Sequence, residues 1–425
     1  MRVAVIGAGV VGVNTAYFSA LQGHQVTVIE QRGNVAEEAS RGHAGLLGTA
    51  HVRPMAAQGM PHRLVAQLLQ VKKTAQWRPS TNLAQWRWLR RWMSECQLNQ
   101  QIKNTEKMQR LSMYGQQLLD SLGQRHSIDF QQRNGILELF RTAKDIDNLT
   151  PCLELLSQSG LSFQQLDAAA CYALEPALAQ NPALHGGLYF DQDGSGNCAL
   201  FTKQVKSIAQ QLDVKFDFLQ RCDEIIPQSN GFTLHLVNSD YSSPMQQQRT
   251  QHHFDAVVLA AGADSNRFLK KLGIATALAS FQSYCCTAMI KNPEATPELS
   301  IIDETFQVAI TRMDKRIRVA GTSQLGRRHP RIDERAWQTL RHSATEWFPN
   351  AANYHSANVW NSSHLMMPDG APVIGKTPVK HLYVNLAHAE QGWSMATGAG
   401  KLVADLLSNN VPDIDIEGLT LADRL

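Results

Sequence analysis

The chain has 425 residues, 43% of them hydrophobic and 18% charged, with 28 glycines. At about 150 residues per domain that is two or three domains, or two intertwined ones, and the composition excludes disordered, collagen-like and fibrous classes. Its 40 basic and 37 acidic residues leave a net charge of +3, too balanced for a nucleic-acid binder by bulk charge.

Residues 2–6 form an apolar run of β-formers, and Gly7-Ala8-Gly9-Val10-Val11-Gly12 follows at once. Residues 13–22 read as a helix and 24–29 as the next strand, closed by Glu30 at the expected distance from the glycines. This is a βαβ dinucleotide fingerprint in its full context. Gly7 permits the tight turn, Gly9 lets the backbone approach a pyrophosphate beside Val11, and Gly12 lets helix and strand pack closely. The helix N-terminus offers unpaired N–H groups to phosphates. Glu30, flanked by Gln31 and Arg32, can accept from both ribose hydroxyls, which disfavours a 2′-phosphate. The basic residue and apolar run also mimic a signal peptide, but the glycine spacing accounts for them better.

The residues after Glu30 separate FAD from NAD. Residues 33–48, GNVAEEASRGHAGLLG, are small and glycine-rich, as suits a loop along the ribityl chain and isoalloxazine; Ser40, His43, Ala44, Gly45 and Leu46 are its candidate contacts. Cys222 is a further candidate, and residues 254–262, FDAVVLAAG, form a buried strand ending in Ala261 and Gly262. Near the C-terminus a strand over 381–386 precedes a helix opened by Gly392, Trp393 and Met395, another helix N-terminus suited to the flavin's anionic edge. The expected class is therefore α/β, with a discontinuous Rossmann-like FAD-binding domain (1–55, 185–270 and 360–425). An α+β substrate domain built on an antiparallel sheet (56–184 and 271–359) is interleaved with it.

Residues 60–123 read as helices, with Met108, Leu111, Tyr114, Leu118 and Leu122 as an amphipathic stripe. Residues 127–140 read as a hairpin turning at Asn134-Gly135, 275–321 as antiparallel strands, and 242–253 as an exposed hairpin loop. Trp77, Trp86, Trp88 and Trp92 are half of the eight tryptophans and alternate with Arg78, Arg87, Arg90 and Arg91, while Leu83, Trp86, Leu89 and Met93 recur at helical spacing. Segment 77–92 fits a core helix whose arginines cover the surface, or an interfacial helix making peripheral membrane contact; no nucleic-acid module accompanies it. Seven scattered cysteines without a CxxC pair point to a reducing compartment and away from zinc. No run is long enough to span a membrane, so a cytoplasmic location is expected, peripheral on the inner membrane face if 77–92 is interfacial.

Further blocks complete the pattern: Gly135-Ile-Leu-Glu-Leu-Phe140, Cys198-Ala-Leu-Phe-Thr202, Ile302-Asp-Glu-Thr305, Arg316-Ile-Arg-Val319 and Pro368-Asp-Gly-Ala-Pro-Val-Ile-Gly375. In this order, and with the fingerprint, the chain resembles FAD-dependent D-amino-acid dehydrogenases of the D-amino-acid oxidase/glycine oxidase superfamily over nearly its whole length. The resemblance implies bound FAD and hydride transfer from a substrate α-carbon to flavin N5. Hydrolysis of the imine then yields a 2-oxo acid and ammonia, and a quinone or dioxygen takes the electrons. A D-amino acid is the default substrate. A secondary or tertiary N-methylated amine, or a mainly docking flavoprotein, are the alternatives. No metal is implied.

Three departures from the family bear on the site. Ser362-Ser363-His364-Leu365 stands where the family runs Gly-Leu-Arg-Pro, so His364 replaces an arginine that gives a carboxylate two parallel hydrogen bonds. This leaves weak carboxylate binding, another anchor such as Arg312 or Arg41, or a substrate without a carboxylate. Tyr284 matches a substrate-bonding tyrosine, and Phe306 stands where relatives often have tyrosine. His43 replaces an asparagine and takes one of two roles: covalent attachment to the flavin 8α-methyl, or hydrogen bonding as a neutral ring. Ala387-His388-Ala389 replaces Gly-His-Gly, narrowing the pocket beside His388, a position near the flavin. Tyr284, His364 and His388 are thus the candidate catalytic residues.

Overall fold

The computed structural model describes residues 1–62, 82–147, 149–179, 183–240, 249–326 and 332–424. Strands Arg2–Ile6 and Gln25–Ile29 pair in parallel, and helix Val10–Leu21 joins them. They lie in a six-stranded sheet ordered Val373–Lys376, Leu382–Leu386, Ala256–Leu259, Arg2–Ile6, Gln25–Ile29 and Lys215–Asp217. Only its edge pair, Val373–Lys376 with Leu382–Leu386, is antiparallel. Successive strand side chains point to opposite faces, and here both faces are covered. Val3, Val5 and Val258 pack with Val13, Ala16 and Leu402 of two helices; Ala4, Ile6, Val257 and Leu259 pack with Phe232 and Leu234 of a three-stranded antiparallel sheet. That double burial explains why these strands read as unbroken apolar runs.

The second large sheet runs Asn358–Met366, Ala279–Met289, Arg316–Leu325, Val308–Met313, Ser300–Asp303, Arg133–Phe140, Gly186–Ser195 and Leu46–Leu47, with Gln164–Asp167 added on Gly186–Ser195. It is antiparallel except for Ser300–Asp303 beside Arg133–Phe140. Strands Gly186–Ser195 and Asn358–Met366, in segments expected with the nucleotide part, thus pair in this sheet, because the chain crosses between sheets at both points.

Three local expectations are corrected. Asn134-Gly135 is no hairpin turn: both lie in strand Arg133–Phe140, at a break in its register with Gly186–Ser195. Gly135 sits at φ +91°, and a Cβ there would lie 2.5 Å from Leu299 Cδ2, so the glycine serves a bulge. Residues 249–253 are not loop, because Arg249–Phe254 pairs with Gly231–Asn238; residues 241–248 lie outside the described residues. Helix Leu83–Glu95 is phased differently from its apolar spacing: Trp88, Leu89 and Trp92 are buried, while Leu83, Trp86 and Met93 are exposed. The tryptophan face wins because Trp88 packs on Phe281 at 5.2 Å and donates from Nε1 to the Met366 carbonyl. Trp77 and Arg78 lie outside the described residues. The expected amphipathic stripe lies on the 29-residue helix Leu98–His126, with Met108, Leu111, Tyr114 and Leu122 buried and Leu118 half-buried. Among the described residues no helix is long and apolar enough to cross a membrane.

Candidate active site

At the fingerprint the backbone is pressed together as the glycines require. A Cβ on Gly7, at φ +105°, would lie 2.5 Å from the Ala260 carbonyl oxygen, and one on Gly12 would lie 2.0 Å from that of Gly7. The first turn of helix Val10–Leu21 opens here, its Val10 N–H donating to Ser40 Oγ at 3.0 Å. Glu30 accepts the Ala8 N–H at 2.7 Å on one oxygen and the Arg32 N–H at 2.8 Å on the other. Burial raises its pKa, and each oxygen keeps a second lone pair for a ribose hydroxyl. The Arg32 guanidinium pairs with Glu38.

From this end a cavity of about 620 Å³ extends to the face of the larger sheet. Every cofactor or catalytic candidate lines it except Gly12, Arg32, Gly45 and Met395. Gly12 and Gly45 act through backbone packing, since a Cβ on Gly45 would lie 2.5 Å from Met313 Cε. Met395 is buried in the helix-side core, one residue beyond the first turn of its helix. Arg312, Arg41 and Phe306 are also away from the cavity wall. Arg312 pairs with Glu298, Arg41 lies 4.8 Å over the Trp360 ring, and Phe306 packs in the core beside His342. Neither arginine anchors a carboxylate in this cavity, and Phe306 marks no polar handle there.

The three histidines are neutral at physiological pH. Burial pushes His43 and His364 down to about 4 and His388 to about 3. His43 Nδ1 accepts the Gly45 N–H at 3.0 Å, which puts the ring proton on Nε2. His364 stacks on Phe281, and its Nδ1 is 3.2 Å from Ser283 Oγ while its buried Nε2 has no partner. His388 Nε2 bonds Asn385 Oδ1, leaving Nδ1 without one. Ala387 and Ala389 beside it have φ of 62° and 53°. That left-handed backbone costs a non-glycine residue about 1–2 kcal/mol, a strain glycine would not carry. Ala387 packs with Leu365 and Leu386, so its methyl serves the core as well as the wall. The Tyr284 hydroxyl donates to Gln324 Oε1 at 3.2 Å.

Sequence reading missed four cavity residues, none in a recognisable motif. Glu390 is exposed on the cavity wall, and desolvation there raises its pKa to about 7. Ser323 donates to Glu390 Oε1 and lies 2.7 Å from Ser283 Oγ. Both serines flank a register break between strands Ala279–Met289 and Arg316–Leu325, a bulge of the kind that re-aims side chains. Arg53 pairs bidentately with the fully buried Glu138 and lies 3.5 Å from Glu304.

FAD fits these residues. The glycine turn, the doubly accepting Glu30, two helix N-termini on one cavity and the unpartnered His43 Nε2 are the features a dinucleotide with a flavin ring requires. The comparisons agree. The chain belongs to the FAD-dependent oxidoreductase family, which it matches over residues 2–406. It is similar to the D-amino acid dehydrogenase of Granulibacter bethesdensis, at 35% identity over 425 residues and 99% of both chains. It is likewise similar to that of Vibrio cholerae, at 34% over 423 residues, 99% of this chain and 98% of that one. Among solved structures, glycine oxidase from Geobacillus kaustophilus shares the fold with a TM-score of 0.75 at 20% identity, covering 100% and 99% of the two chains. L-proline dehydrogenase from P. horikoshii does so with 0.73 at 16%, covering 99% and 96%. The chain is thus an FAD-dependent oxidoreductase of the class that acts on amines and amino acids.

Proposed function

We propose that this enzyme oxidises the C–N bond of a D-amino acid, giving a 2-oxo acid and ammonia. The observation that carries this reading is the continuous cavity joining the dinucleotide end to Tyr284, His364 and Glu390 on the sheet face. The whole-length relatives named D-amino acid dehydrogenase support the substrate class. Bound FAD supplies the two-electron acceptor for hydride from the substrate α-carbon. The protein's groups bind, orient and handle protons. Glu30 and the helix N-termini at Gly9 and Gly392 hold the dinucleotide. Neutral His364 and Tyr284 offer hydrogen bonds to the substrate, and the apolar walls keep out water.

A secondary or tertiary N-methylated amine is the second reading. Among the described residues the arginines lining the cavity are engaged, Arg53 by two glutamates, Arg221 by Asp223 and Arg267 by the Cys222 carbonyl, which disfavours a free carboxylate. Turnover with an artificial electron acceptor separates the two. A 2-oxo acid and ammonia from D but not L enantiomers supports the first, whereas turnover of N-methylated amines alone supports the second. The electron acceptor we infer is a quinone or dioxygen. Peripheral contact with an anionic membrane is supported by exposed Leu83, Trp86 and Met93 beside Arg87, Arg90 and Arg91 on helix Leu83–Glu95; co-sedimentation with anionic vesicles tests it.

A further inference from the structure

We propose that Glu390, Ser323, Ser283 and His364 form a relay that takes the ammonium proton of the bound substrate, so that the site receives amines as cations and oxidises them as free amines. The proposal rests on the amine-oxidation reading above.

The geometry sets the direction of each hydrogen bond. Ser323 donates to Glu390 Oε1, so its oxygen is left to accept from Ser283 Oγ at 2.7 Å. With the Ser283 proton so used, its oxygen accepts from His364 Nδ1 at 3.2 Å. A neutral imidazole that donates from Nδ1 has a bare lone pair on Nε2. That atom is buried without a partner, on a residue that lines the cavity. An ionised Glu390 therefore presents an acceptor at His364 Nε2.

The proton step balances within these groups. The substrate R₂CH–NH₃⁺ gives a proton to His364 Nε2 as Nδ1 gives one to Ser283, Ser283 one to Ser323, and Ser323 one to the Glu390 carboxylate. The products are R₂CH–NH₂, neutral His364 in its other tautomer, both serines restored, and a protonated Glu390. Only the free amine has the nitrogen lone pair that drives hydride loss from the α-carbon. Desolvation at the cavity wall supports the assignment, because it brings the Glu390 pKa to about 7, where a general base works best.

One half-buried cation, Arg318, stands behind His43 and donates to its carbonyl oxygen. His364 faces Glu390 from strand Asn358–Met366, His43 from the loop before Leu46–Leu47, and His388 stands two residues away; all three are held neutral. Arg53, whose N–H bonds Gln391 Oε1 next door, is bound by Glu138 and Glu304, so that group is net negative and favours a cation.

The test is kcat/KM against pH for flavin-replete wild type, Glu390→Gln and Ser323→Ala, with an amine that wild type oxidises. Wild type should lose activity below about pH 7. Each variant should fall about 10²-fold or more at pH 7, then recover tenfold per pH unit as free amine accumulates in solution, and Glu390→Asp should restore part of the loss. A wild-type profile in either Glu390→Gln or Ser323→Ala overturns the relay, as does a loss equal at every pH. If wild type oxidises no amine, the functional reading itself fails and the relay with it. If wild type oxidises amines and the variants do so with the wild-type rate and pH profile, only the relay fails.

Discussion

His388 Nε2 lies 2.7 Å from Asn385 Oδ1, and this contact decides which ring nitrogen His388 turns to the cavity. Asn385 Nδ2 donates to Thr15 Oγ1 at 3.0 Å, so its oxygen faces the imidazole and must accept. His388 is therefore a neutral Nε2–H tautomer whose Nδ1 offers a lone pair. Asn385→Ala leaves the buried His388 donor unpaired, which costs about 1–3 kcal/mol. Chemical denaturation should show that loss together with weaker flavin retention.

Three neutral buried histidines make the fold acid-sensitive. Their folded pKa values of about 4, 4 and 3 lie below the ordinary 6.5, so between these values the unfolded chain binds more protons. The stability they contribute is complete above pH 6.5 and lost as pH falls toward 4, at up to about 1.4 kcal/mol per pH unit for each. Urea midpoints from pH 7.5 to 5 should fall steeply for wild type, and His364→Gln should flatten the slope by about one proton.

The features legible in the sequence were local ones. Gly12 and Glu30 act through neighbours within one βαβ unit, Gly7 and Ala8, so spacing reveals them. Glu390, in a short 3-10 turn, escaped because Ser323 and the Ser283 behind it lie 67 and 107 positions away, on strands of the larger sheet. Arg53 and Glu138, 85 positions apart, escaped for the same reason. Asn134-Gly135 misled because a glycine at positive φ serves a bulge as well as a turn. The helix at 83–95 misled because apolar residues recur on two of its faces, and only packing on Phe281 shows which is buried.

Gly12 tests the fingerprint. Because a Cβ at this position would lie 2.0 Å from the Gly7 carbonyl oxygen, Gly12→Ala must push helix and strand apart. The expected result is a loss of about 1–3 kcal/mol and protein purified with little or no yellow colour. Normal flavin content would show that the strand–helix approach tolerates a methyl.

His43 separates covalent from dissociable flavin. With Nδ1 accepting from Gly45, the neutral ring carries its proton on Nε2 and lacks a lone pair there for attack on a methyl carbon. Acid precipitation should release the flavin into the supernatant, and His43→Asn should still bind it. Yellow colour retained in the acid pellet of wild type, and lost from that of His43→Asn, would reverse this assignment.

D-amino-acid oxidation is tested most directly by anaerobic reduction of the enzyme's flavin, followed by its visible absorption band, with D-amino acids, L-amino acids and N-methylated amines in turn. The expected result is bleaching by D-amino acids, slower at pH 6 than at pH 8 because Glu390 must be ionised. A band that persists with every D-amino acid and bleaches only with L-amino acids or N-methylated amines would contradict it.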